Sequence, residues 1–208
     1  MNAESFFSEE EKERIHQAVL EAESKTAGEI VPMIVASSAR YTEVELLGLI
    51  AGLSIGVIVE WFWSDPWASA YVNLWPIGGA LTGFLLARVP PIKRFVVSKR
   101  RTAEAVHDFA LASFTEHGLH YTRDHTGILI LVSLLEHRVE VLADLGINAK
   151  VETATWQEIV HRLTEGLKSG HAAEAFCKAI ERCGEILATH FPRQAEDRDE
   201  LPNRLISK

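Results

Sequence analysis

Two apolar stretches lie side by side within the chain, and they limit its possible folds more than any other feature. Leu46 to about Trp63 reads LLGLIAGLSIGVIVEWFW, and Ala70 to about Ala87 reads AYVNLWPIGGALTGFLLA. Each is about 18 residues long, near the lower limit for crossing a bilayer as a helix. The connector SDPWAS carries Asp65 and Pro66 and no basic residue. The pattern predicts a transmembrane helical hairpin over residues 46–87. A soluble hairpin buried in a core is the alternative reading. Trp61, Trp63, Trp67 and Tyr71 cluster at the connector end, as an interfacial aromatic belt does.

The flanks give the hairpin a direction. Arg88, Lys93, Arg94, Lys99, Arg100 and Arg101 follow the second stretch. Basic residues favour the cytoplasmic side, so the segment after the second helix is expected there. A hairpin returns the chain to its starting side. Two spans in the cell's inner membrane follow, with both termini and the polar portions in the cytoplasm. The same basic run carries charge suited to anionic lipid headgroups. Gly48, Gly52 and Gly56 recur at four-residue spacing, and Gly79 and Gly83 do so in the second stretch. Such rows let helices approach closely in lipid. Packing within the hairpin is the favoured use, and a contact between copies is the alternative.

Outside the hairpin, enough chain remains for one domain with a core. Charged residues make up 24% of the sequence. That is too polar for a polytopic transporter. A formal net charge of -8 argues against general nucleic-acid binding, since phosphates would be repelled. Cys177 and Cys183 sit six positions apart in a predicted helix, on different faces, so they read as unpaired buried thiols. The opening MNAESFFSEEEKERIHQ is acidic and helical in pattern, unlike a secretory signal.

Ser8 and Glu11 form a capping box that opens a helix running to about Lys25, with Phe6 or Phe7 as a hydrophobic staple. Gly28 ends it. Glu29–Val35 reads as a strand, with Pro32 implying an edge position or a bulge. Thr102 to about His117 is a helix closed by Gly118. Gly127–Leu134 is an apolar run fit for a central strand, and Arg138–Asp144 is its antiparallel neighbour across a turn at Glu136-His137. Two helices follow, about Thr155–Lys168 and His171–His190, then a charged tail over residues 193–208. The order implies an α/β fold, a small mixed sheet layered by helices as an α/β/α sandwich. For the early strand to meet the later ones, residues 1–45 and 88–192 must form a single discontinuous domain, with the hairpin inserted into it.

Three segments resemble the TPM domain family. FFSEEEKERIHQAVLEAESKTAGEIVPMIV is similar to its opening helix and GEI(V) strand. YTRDHTGILILVSLLEHRVEVLADLGINAKV is similar to its central hairpin, with Arg138 to Gly146 matching a spaced Arg–Gly pattern. WQEIVHRLTEGLKSGHAAEAFCKAIERCGEIL is similar to its closing helices. The resemblance implies an α/β/α sandwich tethered to a membrane. It also implies a role in repair or assembly of membrane protein complexes, such as photosystem II. Calcium or other divalent binding and acid phosphatase activity are attributed to members. The chain departs from the family in its inserted hairpin. It also has Ala143-Asp144-Leu145-Gly146-Ile147-Asn148 where members carry a G-Y-G-L-E run.

The candidate chemistry gathers at one end of the central hairpin. His117, His120, Arg123, Asp124 and His125 precede one strand, and Asp144 ends the next. In an antiparallel pair these ends share one side of the sheet. Asp124 and Asp144 with loop carbonyls would suit Ca2+ or another divalent cation. The plainer reading makes Asp124 a loop residue and Asp144 the cap of a turn at Gly146. Ser133 and His137 lack any nucleophile-elbow pattern, and no residue is assigned a catalytic role. The expected partners are the bilayer and a membrane protein. The expected function is a non-enzymatic assembly or maintenance factor. A metal-dependent phosphatase or hydrolase is the alternative.

Overall fold

The computed structural model describes residues 2–63, 74–122, 124–193 and 204–208. It divides into two compact units, Met1–Ser38 with Ala103–Lys208, and Ala39–Thr102.

The first unit is built on a sheet of four strands. β1 is Glu29–Val35, β2 Gly127–Ser133, β3 Arg138–Ala143 and β4 Ile206–Ser207, in the order β3-β2-β1-β4. β1 and β2 run parallel, with Glu29 opposite Gly127 and Val35 opposite Ser133. β3 is antiparallel to β2, and β4 is parallel to β1 at Met33 and Ile34. Every residue of β1 and β2 is buried, which explains their unbroken apolar character.

Alternation sorts these strands onto two cores. Ile30, Ile34, Ile128, Ile130 and Val132 join a cluster with α1 (Glu9–Glu23), α7 (Thr153–Lys168) and α8 (Ala172–His190). Val31, Met33, Leu129 and Leu131 face the other way, onto Val106 and Ala110 of α5 (Lys99–Glu116) and onto Leu119. The sheet is thus covered by helices on both faces.

Local signals account for most element ends. Ser8 Oγ accepts from Glu11 N at 3.2 Å and Ser8 N donates to Glu11 Oε2 at 2.8 Å, completing the predicted capping box. Phe7 joins the core cluster that holds Ile15, Val19 and Ala22 of α1. It packs edge-on against Phe176 of α8, with ring centroids 6.1 Å apart. Gly28 is not a helix stop, since α1 ends at Glu23. A Cβ there would lie 2.7 Å from the Leu187 side chain, so Gly28 is what lets α8 approach the strand. Gly118 closes α5 in the left-handed region, at φ 74°.

Pro32 lies in an inner strand, yet it forfeits no ladder bond to a described residue. Ala36 N donates to Lys208 O and Lys208 N to Ile34 O, so the even residues of β1 face β4. β4 begins at Ile206 opposite Met33, so Pro32 precedes the residues that pair with it. The end of the chain, expected as a tail, supplies β4, and Lys208 Nζ pairs with Glu116 at 2.9 Å. Residues 194–203 of that tail lie outside the described residues. Cys177 and Cys183 are free thiols, and burial pushes the Cys183 thiol up to about 12.

The second unit holds α2 (Thr42–Trp63), α3 (Leu74–Ala87) and α4 (Pro90–Val96). Gly48 lies against Gly83, Gly52 against Gly79, and Gly56 against Trp75 and Pro76. The descending partners make α2 and α3 antiparallel. A Cβ on any of these glycines would collide with the opposing backbone, so the rows are spent on packing within one chain.

The span Thr42–Phe62 has 21 residues and a mean hydropathy of 1.9, long and apolar enough to cross a membrane. α3 has 14 residues, about 21 Å of helix against a hydrocarbon core of about 30 Å. As described, the hairpin is therefore one helix of spanning length with a shorter apolar partner. The connector Ser64–Ser69, with Asp65 and Trp67, and the second stretch's first residues up to Asn73, with Tyr71, lie outside the described residues.

Candidate functional site

The segment before β2 is shaped by short-range hydrogen bonds. A 3-10 turn over Leu119–Tyr121 follows Gly118. Thr122 Oγ1 donates to Leu119 O at 3.1 Å and accepts from Thr126 N at 3.0 Å. His125 N donates to Thr122 O, and His125 itself takes a left-handed φ of 53°. Such a conformation is uncommon outside glycine and needs the surrounding bonds to hold it. Gly127 then passes so close to Leu119 that a Cβ would sit 2.6 Å from its carbonyl oxygen.

β3 delivers Asp144 to the same place. Asp144 N donates to Gly127 O at 2.9 Å, extending the ladder by one bond. The chain then turns into a short helix, α6 (Leu145–Asn148), with Asp144 as its N-cap. Asp144 Oδ1 accepts from Leu145 N at 2.7 Å, and Oδ2 lies 3.2 Å from His125 Nδ1. Asp144 is 8% exposed while the His125 side chain is mostly in solvent. Gly146 falls inside α6 rather than breaking the chain. A Cβ there would lie 2.5 Å from Asp124 O and 2.7 Å from His125 O, so glycine is needed for α6 to rest on the loop.

The strand ends thus bring together Asp144, His125 and the backbone of Asp124, as antiparallel pairing predicts. The Asp124 side chain is exposed and makes no hydrogen bond or ion pair to a described residue. Arg123 lies outside the described residues. His117 and His120 are half-buried. His117 Nε2 and His120 Nδ1 have no hydrogen-bond partner among the described residues. Burial, with Lys208 adding to it and Glu116 opposing, holds the His117 imidazole below the usual histidine range. The His120 ring lies 3.9 Å from that of Tyr121, centroid to centroid.

As a cation site this arrangement is incomplete. Calcium takes six to eight oxygen ligands. Both Asp144 oxygens are already engaged, by Leu145 N and by His125. Among the described residues no three His, Cys, Asp or Glu side chains are grouped to hold a metal.

Two carboxylates stand at this end of the sheet without having been singled out from sequence. Glu29 opens β1 opposite Gly127, and Glu23 closes α1, with Oε1 accepting from Ile30 N at 2.8 Å. Both are buried. The available signal was an acidic residue beginning an otherwise apolar strand. At the opposite end of the sheet, Ser133 Oγ donates to Glu136, and Ser38 Oγ donates to Ser133 Oγ at 2.9 Å. That hydroxyl serves the turn.

Residues 92–186, from α4 through α5, the β2–β3 hairpin and α7 into α8, match the family model for the TPM domain. This chain contains a TPM domain. The matched segment leaves α1 and β1 outside, and the structure adds both to the TPM unit through the β1–β2 ladder. The NMR structure of BA42 protein from the psychrophilic bacterium Bizionia argentinensis sp. nov. is similar, with a TM-score of 0.61. Sequence identity is 21%, over 98% of this chain and 96% of that one. At that identity the likeness concerns the fold alone. Among curated proteins nothing matches.

Proposed function

We propose that this TPM-domain protein is anchored in a membrane by α2 and α3 and acts there without catalysis, as an interaction factor in the assembly or maintenance of membrane protein complexes. The observation that carries the anchoring is the outer surface of α2. Leu46, Ile50, Ile55 and Phe62 are exposed, Trp61 is 84% exposed, and only 17% of the spanning window is buried. A core helix of a soluble protein would bury such side chains, and hydrocarbon removes the cost of leaving them outside. The family supports the assembly role, and the basic segment after α3 supports a cytoplasmic TPM unit on an inner membrane. Alkaline carbonate extraction of membranes from expressing cells tests the anchoring. The protein should stay in the pellet, and release into the supernatant would overturn the reading.

A second reading is a divalent-cation site, with Ca2+ as the first candidate, serving a phosphatase or hydrolase. What favours it is the convergence of Asp144, His125 and the Asp124 loop at one sheet end. Calorimetric titration with calcium, magnesium and manganese tests it, repeated on Asp124→Ala. Saturable binding lost in that variant supports the site. Absence of binding at about millimolar metal removes it.

A further inference from the structure

We infer that the segment from Arg88 to Arg101 is a docking surface for the headgroups of anionic phospholipids, with Phe95 as its apolar anchor. The inference rests on the membrane anchoring proposed above and assigns the segment a ligand.

α4 buries none of its residues. Phe95 is 92% exposed, the highest value among the exposed large apolar side chains of the described residues, and its neighbour Val96 is exposed too. In water such a phenylalanine gains nothing from the fold. At a bilayer surface the same ring reaches the headgroup–acyl boundary. α4 begins three residues after α3 ends, with Pro90 and Pro91 fixing its first turn, so Phe95 follows directly on the apolar hairpin.

Charge supplies the second argument. The segment carries six cations and no acid. Two carboxylates at the start of α2 compensate part of this. Lys93 Nζ lies 2.9 Å and Arg88 Nε 3.9 Å from Glu45 Oε1, and Arg101 Nε lies 3.6 Å from Glu43. Lys93 also donates to Arg40 O at 3.3 Å. These bonds fix the segment against α2. Arg94 and Lys99 are left over, exposed and without an ion pair to any described residue, on either side of Phe95 in sequence. An anchored surface with one projecting aromatic ring between two free cations matches a lipid with a phosphate headgroup. Arginine can hold phosphate oxygens in bidentate fashion. Each cation near an anionic surface is worth about a fivefold gain in binding.

The test uses the full chain reconstituted in nanodiscs of phosphatidylcholine, with and without phosphatidylglycerol. Spin labels are attached at Phe95→Cys and, separately, at Leu53→Cys on α2, in a Cys177→Ser background. Depth is read from accessibility to oxygen against a water-soluble nickel chelate. The Leu53 label reports the anchoring and the Phe95 label reports the docking. Both labels should be protected from nickel, and phosphatidylglycerol should deepen the Phe95 label. Arg94→Gln with Lys99→Gln should abolish that deepening and cut the phosphatidylglycerol that copurifies with the detergent-extracted protein by about 25-fold. A Phe95 label open to nickel in both bilayers, with Leu53 protected, would overturn the docking surface and leave the anchoring intact. Two labels open to nickel would overturn both. Phosphatidylglycerol enrichment unchanged in the double variant would overturn the role of the two cations.

Discussion

Asp124 and Asp144 are alike in sequence and opposite in circumstance. Asp144 is buried, caps α6 and faces His125, whereas the Asp124 carboxylate stands in solvent. Losing an N-cap costs about 1 kcal/mol, and surface substitutions usually stay within about 0.5 kcal/mol. Asp144→Ala should therefore lower the stability of the metal-free protein by about 1 kcal/mol in chemical denaturation. Asp144→Asn should retain most of it, and Asp124→Ala should have little effect. Equal losses at both positions would contradict the capping account. Sequence spacing found the right pair of segments because antiparallel pairing dictates which ends meet. It could not show that Asp144 is already occupied, because α6 has only four residues and carries no apolar periodicity. The need for glycine at 146 was equally hidden, since it arises from carbonyl oxygens some twenty positions earlier in the chain.

At the scale of the element, the four-residue glycine rows were legible because helical periodicity alone places them on one face. The pairing of α2 with α3 sharpens that into a contrast between neighbours. Gly79 lies against Gly52, and a Cβ there would strike its carbonyl, while a Cβ at Gly78 meets nothing within 4 Å. Gly79→Leu should lower the melting temperature of the detergent-solubilised protein, with a cost of about 2 kcal/mol from overpacking. Gly78→Leu should be close to neutral, because its side chain would point outward. Similar melting in the two variants would mean that the helices do not pack through this row. Other elements were less legible. The apolar run of β2 announced a central strand, but nothing in ISK distinguishes a strand of two residues from a tail. Gly28 resembles a helix stop in sequence, and its real constraint is the Leu187 side chain across the fold.

For the whole molecule, the reading of an interrupted domain came from one requirement, that Glu29–Val35 find strand partners beyond the apolar stretches. It does so in parallel with β2, in register along its whole length. The orientation in the membrane belongs to this scale. On the proposed anchoring, the positive-inside bias predicts a cytoplasmic TPM unit, so a reporter active only outside the cytoplasm should be silent when fused after Lys208 and active when inserted at Asp65. The reverse pattern would overturn the orientation.

The parallel ladder between β1 and β2 also sets a timetable. A ribosome releases α1 and β1 first, then the apolar helices, and β2 only afterwards. Until β2 arrives, β1 is a buried strand with nothing to bury it, and a non-local pairing of this kind forms slowly. The sheet cannot close before the apolar helices have been made. If those helices enter a membrane as proposed, a delay in their insertion would hold an adhesive strand open on the nascent chain, so the tolerance of this fold for slow insertion is set by how well β1 is kept from other partners in the interval.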